Sequence, residues 1–345
     1  MLQPTIWDGV DRLIDRAPGL SELRAHRIEL LAATRWRAVG RAVPEELESE
    51  ERMAARSGLL AFPVLERVRA AVEGDLLLVK GPEIAVRYPN PALRPFADLD
   101  LLTAKPESAQ RALLAAGFVP VGDPDLYVDI HHLRPLMHPE LPLPVEIHAQ
   151  PKWFAPLRPP SLAELLSASA PANIGVDGVA TAAPIHHALL VAVHAWAHEP
   201  LRGLRDLIDV AAVAQGLDRQ ELRSAARAWG IERLWQTTID ASDAVFLGCP
   251  TSWEIRLWAR NLATVKERTV LENHLQRWLS GFSALPSGQA LSACASAIAG
   301  DLRRVSGESR SAKLSRTFLA LRRPFTPRSL HIRDLEQSKP PASRR

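Results

Sequence analysis

Apolar residues recur at helical spacing from about Leu20 to Val72. Leu20, Leu23, Ile28, Leu30 and Leu31 form one such stretch, and Leu59, Leu60, Val64, Leu65 and Val68 another, with Arg and Glu filling the other positions. This spacing predicts an N-terminal helical segment. From Gly74 the period shortens. Leu76-Leu77-Leu78-Val79 follows Glu73-Gly74-Asp75, and Asp98-Leu99-Asp100-Leu101-Leu102 alternates polar and apolar at its start; both predict strands. Pro106 to Ala116 predicts a helix with Ala109, Leu113 and Leu114 on one face, stopped by Gly117 at its C′ position. Phe118–Val121, Tyr127–Leu133 and Leu143–His148 predict further strands, the last two joined by a turn-rich stretch from Arg134 to Pro142. Beyond Ser161 the helical period returns, over Pro184–His198, Leu201–Ala214, Asp218–Trp229 and Glu232–Leu247.

The order of elements predicts an α+β protein. The expected divisions are a helical segment over residues 1–73, a small sheet-containing unit over 74–155 and a helical domain over 160–322. Residues 323–345, rich in Pro, Arg, Ser and Lys, are expected to be a disordered tail. At 345 residues the chain exceeds one typical compact core, and 47% apolar residues are enough to build more than one. A net charge of +3, from 42 basic and 39 acidic residues, argues against a general nucleic-acid binder. Two cysteines, Cys249 and Cys294, have no metal-type spacing and make no disulfide scaffold. The charged N-terminus lacks a signal-type apolar region, and no charge-free apolar run is long enough to span a membrane, so a cytoplasmic location with no membrane partner is expected.

Asp98-Leu99-Asp100 carries the chemistry. Residues two apart on a strand face the same side, so the two carboxylates point together and Leu99 points away. Two like charges at such a distance repel, and the arrangement asks for a raised pKa or for a cation. Hard carboxylate oxygens suit Mg2+ (or Mn2+), whose shell a nucleotide's phosphates commonly complete. Taken alone the motif is weak, because Asp-x-Asp is frequent on solvated edges. Its apolar neighbours, the Lys80-Gly81 turn after the first strand, and Glu146 and His148 sharing a face of the Val145–His148 strand strengthen it. A glycine at a strand-to-helix turn lets backbone approach a phosphate, and Lys80 adds a point charge; no Walker loop is present.

Leu78-Val79-Lys80-Gly81, then Arg87-Tyr88-Pro89, Arg94 before Asp98-Leu99-Asp100-Leu101-Leu102, Ala116-Gly117-Phe118 and Glu146-Ile147-His148 together resemble the uncharacterised nucleotidyltransferase family of the polymerase-β superfamily. The resemblance extends to the His-rich Pro184–His198 stretch followed by Leu204-Arg205-Asp206-Leu207-Ile208-Asp209. It implies a small mixed sheet flanked by an N-terminal helical segment and a C-terminal helical domain. It implies Asp98, Asp100 and Glu146 as an acidic triad for metal, and an NTP substrate, ATP by expectation. It also implies transfer of a nucleoside monophosphate to a hydroxyl of an unidentified small-molecule, peptide or protein acceptor. This chain departs from the superfamily in having Lys80-Gly81 where Gly-Ser is usual, and Glu where the third carboxylate is commonly Asp.

Arg87 and Arg94 are phosphate candidates through their planar forks, against simple ion pairing. His187, His194 and His198 share one helix face, as a polar stripe or as reach into a cleft; without His-Glu-x-x-His a zinc peptidase is disfavoured. His131 or His132 could line the substrate side or be structural. Arg205 and Asp209 are four apart and read as an intrahelical pair, or as phosphate and ribose contacts. The nine tryptophans are scattered and read as packing. The alternative to an enzyme is a nucleotide-binding regulatory or partner-binding protein without turnover, and a third reading leaves the acidic strand incidental.

Overall fold

The computed structural model describes residues 5–127, 132–303, 310, 313–314, 317–318 and 322–330. They group into two compact units. The first comprises Met1–Arg27, Pro200–Arg205 and Gln236–Arg345, and the second Ile28–Glu199 and Asp206–Trp235. Both helical stretches of the sequence therefore contribute to both units, and no single cut along the chain separates them.

The second unit is built on a mixed seven-stranded sheet in the order β3-β4-β5-β2-β1-β7-β6. Its strands are β1 (Leu76–Leu78), β2 (Leu99–Leu102), β3 (Val119–Pro120), β4 (Leu136–His138), β5 (Leu141–His148), β6 (Ser169–Pro171) and β7 (Val179–Ala182). β1 runs antiparallel to β2 and parallel to β7, while β2 and β5 are parallel. Period-two alternation sorts the side chains. Leu76, Leu78, Leu99, Leu101, Val145, Ile147 and Val179 join one buried cluster with Ala61, Val64, Leu65 and Val68 of the Glu45–Ala71 helix and Ala109 and Leu113 of the Pro106–Ala115 helix. Burial of each Leu, Ile and Val in it is worth about 1.5–3 kcal/mol, so this face carries much of the unit's core. The opposite face buries Leu77, Val79, Leu102 and Ala182 with Leu165 and Leu190. There the Pro184–His198 helix lies over the sheet.

The predicted strands at Leu76, Asp98 and Leu143 and the helix from Pro106 are present with small shifts of boundary, and Gly117 has the positive φ of +90° expected beyond a helix end. Three strands went unpredicted. β4 lies inside the stretch read as turns, and β6 and β7 lie where helical periodicity was expected. All three are three or four residues long, too short for their own period to register, and exist because β5, β1 and each other supply partners. Of the strand expected over Tyr127–Leu133, residues 128–131 lie outside the described residues; Tyr127 closes a short 3₁₀ turn, Pro124–Tyr127, and His132 bridges His148. His131 lies outside the described residues, as do residues 331–345 of the tail expected over 323–345; within residues 323–330 of that stretch Pro327 bridges Thr269 and the Thr326 carbonyl accepts from Val270 N. The stretch expected as one helix to Leu247 ends as α-helix at Ser242 and continues as a π-helical turn, Asp243–Leu247.

The first unit is helical. Its Ile6–Arg16 helix begins with a capping box between Thr5 and Asp8 and buries Val10, Leu13 and Ile14. Gly9 sits so close to the backbone of Phe246 that a Cβ would collide with it, and Arg12 donates to the Phe246 carbonyl at 2.7 Å. The Val270–Ala284 and Ser287–Leu302 helices form a hairpin, in which Asp301 accepts from His274 and Trp278. Among the described residues no helix is long and apolar enough to cross a membrane.

Candidate functional site

The chemistry-bearing side chains gather on the sheet face that carries the Pro184–His198 helix. Parallel pairing of β2 with β5 sets Asp100 beside Glu146 and Leu102 beside His148, and paired residues of neighbouring strands point the same way. The buried leucines on the other face fix this register. A slip of one residue would turn Asp100 and Glu146 into the apolar core.

Asp100 is 3% exposed. Its Oδ1 accepts from Lys80 Nζ at 3.0 Å and lies 3.2 Å from His148 Nε2. Its Oδ2 is buried and has no hydrogen-bond partner. His148 Nε2 also lies 3.6 Å from Glu146 Oε2, and His132 Nε2 is 3.7 Å from the same oxygen. One ligand atom each from Asp100, Glu146 and His148 all lie within 4.8 Å of one another. Asp98 immediately precedes β2, partly buried and close enough to feel the charges of Asp100, Lys80, Glu146 and Arg94.

The charges here are unbalanced. Burial, and then the Asp100 carboxylate, push Asp98 up to about 6. Burial would raise Asp100 too, but Lys80 and His148 outweigh it and hold that carboxyl far below the usual range. Glu146 is held below its ordinary value against burial, chiefly by His148, and His148 is raised against burial by the two carboxylates. A buried carboxylate oxygen with no donor costs about 1–3 kcal/mol unless something unseen satisfies it. Two carboxylate oxygens and an imidazole nitrogen at this spacing fit a divalent cation.

Basic groups stand on the other side of Asp100. Lys80 Nζ reaches His194 Nε2 at 3.1 Å, His198 Nε2 lies 2.9 Å from His194 Nε2, and Lys152 Nζ is 2.9 Å from His198 Nδ1. Burial, and then Lys80, lower His194 well below its ordinary value; burial, and then Lys80, lower Lys152 as well. Lys80, Asp100, His148, Lys152 and His194 line one narrow cleft.

The expected residues divide. Lys80, Asp98, Asp100, Glu146, His148 and His194 come together. Gly81 opens a one-turn helix, Pro82–Ala85, with φ +64°, packed against the Asp98 carbonyl. Arg87 is exposed. Arg94 and Asp209, each a candidate for nucleotide contact or for ion pairing, are bonded to each other: Arg94 Nη2 donates to Asp209 Oδ2 at 2.8 Å and Nε to Oδ1 at 3.2 Å. Tyr88 Oη adds a bond to Oδ1 at 2.7 Å. Asp209 is thus taken up by Arg94 and Tyr88, and Arg205 groups with the first unit. Of the histidine stripe, His187 bonds the Val79 carbonyl at 2.8 Å and is buried, while His194 and His198 join the basic row. Lys152 was not singled out in the sequence, because it follows β5 in irregular chain where no period marks a face.

No curated protein and no solved structure matches the chain. The sequence model of an uncharacterised nucleotidyltransferase family matches residues 15–246, a span that includes every residue of this cleft. That match covers well over half of the 345 residues, and the chain belongs to the uncharacterised nucleotidyltransferase family.

Proposed function

We propose that the protein transfers a nucleoside monophosphate from an NTP, ATP by expectation, to a hydroxyl of a small-molecule or peptide acceptor. The observation that carries this reading is the paired imbalance across Asp100. Carboxylates crowd one side, with Asp100 Oδ2 unbonded, and the basic groups Lys80, Lys152 and His194 line the same cleft on the other. A divalent cation would satisfy the carboxylates and a triphosphate would lie against the basic row.

Asp98, Asp100 and Glu146, with His148 beside them, would hold the cation, Mg2+ or Mn2+. When bound it would lower the charge on the α-phosphate and favour ionisation of the attacking hydroxyl. Lys80, which reaches both Asp100 and His194, would move its charge onto phosphate as the cation neutralises Asp100. His194 would contact the same phosphates, and the Gly81 turn would let backbone approach them. The acceptor oxygen forms a bond to the α-phosphorus, the bond to pyrophosphate breaks, and the hydroxyl proton passes to Glu146, which is more exposed than Asp100. Positioning and fixed charge supply most of the acceleration.

The test is calorimetric titration of ATP and GTP, with and without Mg2+, into wild type and an Asp98→Asn, Asp100→Asn double variant of unchanged circular dichroism. Cation-dependent binding lost in the folded variant supports the site; no binding by wild type at high micromolar concentrations rejects it. One observation favours a second reading, a nucleotide-binding regulator without turnover: Lys80 already neutralises part of Asp100. Binding without pyrophosphate release in the presence of candidate acceptors would select that reading.

A further inference from the structure

An imidazole stands among the carboxylates of the candidate cation site. His148 lies two residues beyond Glu146 on β5, so alternation puts its imidazole on the same face as the Glu146 carboxylate. It is 4% exposed, its Nε2 lies 3.2 Å from Asp100 Oδ1 and 3.6 Å from Glu146 Oε2, and the three ligand atoms cluster within 4.8 Å. An ion about 2.1 Å from each ligand spans separations up to about 4.2 Å across itself, so small side-chain rotations suffice. The second observation is independent of the cluster's charge: Asp100 Oδ2 is buried and unbonded at the same place.

Ligand type decides which ion such a set prefers. Mg2+ takes oxygen ligands in a strict octahedron and gives up its waters reluctantly. Imidazole favours first-row transition ions, whose affinity for nitrogen exceeds that of magnesium. We infer that His148 is a direct ligand and makes this a transition-metal site, selective for Mn2+ over Mg2+ even before nucleotide binds. The imidazole already lies close to both carboxylates, at 3.2 and 3.6 Å, so little movement is needed when the ion arrives. The inference rests on the proposed function only in taking Asp100 and Glu146 as cation ligands.

The test needs neither substrate nor turnover. Metal-stripped full-length protein is titrated with Mn2+, read by loss of the free-ion spin-resonance signal, and competed with Mg2+. Wild type is expected to prefer Mn2+ by at least about tenfold, and His148→Gln to lose about 10- to 100-fold in Mn2+ affinity with little change for Mg2+. Electron spin echo modulation of bound Mn2+ in wild type should show coupling to an imidazole 14N, a readout independent of whether the variant folds. Equal affinity for the two ions, or absence of the nitrogen coupling, overturns the inference. The nucleotide titration separates the two failures. Mg2+-dependent ATP binding with no nitrogen coupling leaves the transferase reading standing without this inference. Nitrogen-coupled Mn2+ with no nucleotide binding does the reverse.

Discussion

Two carboxylate sites in the sheet-containing unit are equally buried and differently built. Asp209 has both oxygens occupied, by Arg94 twice and by Tyr88 once, and stands with Arg94 as a closed pair. Burial by itself would weaken the hold of Arg94 on its proton, but Asp209 more than offsets it and raises the guanidinium above its ordinary value. Asp100 has one oxygen shared by Lys80 and His148 and one with no donor, and it stands among other carboxylates. Both were candidates for the nucleotide site in the sequence. Burial and charge do not separate them; the ratio of donors to like charges does. A carboxylate whose bonding capacity is filled internally holds the fold together. One left short of donors among like charges keeps room for a ligand.

That contrast can be broken by experiment. The largest effect belongs to the closed pair. Arg94→Ala or Asp209→Asn leaves an uncompensated buried charge and should cost about 3–5 kcal/mol in urea unfolding. An Arg94→Met, Asp209→Leu double variant should lose far less than the sum, and additive losses would show that the two groups act independently.

Next comes acid sensitivity close to that pair. Burial is the first cause lowering His187 to about 4, opposed by its bond to the Val79 carbonyl and reinforced by Arg87 and Arg94. A folded-state value below the unfolded value of 6.5 means that the neutral form supports the fold. That contribution is full above 6.5 and is lost as pH falls towards 4, a change of about 3 kcal/mol. Wild type should therefore lose about that much more unfolding free energy than His187→Gln between pH 7 and pH 4. Parallel pH curves for the two proteins would remove His187 as the cause.

Gly81→Ala should cost about 1–3 kcal/mol from backbone strain alone. Its φ is +64°, and the nearest atoms to an added Cβ are an ordinary 3.5–3.7 Å away. The smallest effect has the opposite sign. Asp98→Asn thins the carboxylate crowd and should raise cation-free stability by about 1 kcal/mol while abolishing cation-dependent nucleotide binding. A loss of stability as large as that of Asp209→Asn would erase the difference between the two sites.

Much of this could be read along the chain. The Asp98–Leu102 alternation, the helix from Pro106 to its stop at Gly117, the paired faces of Glu146 and His148, and the His194–His198 spacing are local properties. A strand or helix period is set by neighbours in sequence, so it shows there. Family membership was legible for the same reason, as motifs in order.

What the linear pattern left out needed partners distant in sequence. β6 and β7 are short strands without a period of their own, and the sheet makes them strands by supplying β1. Arg94 meets Asp209 across 115 residues, and Lys80 meets His194 across 114. Which aspartate is closed and which is open depends on how many donors the fold brings to each. The sequence alone determined the residue types, their faces and the family. Only the tertiary structure decided which charges are satisfied, because that balance is a sum over neighbours that the fold brings together from across the chain.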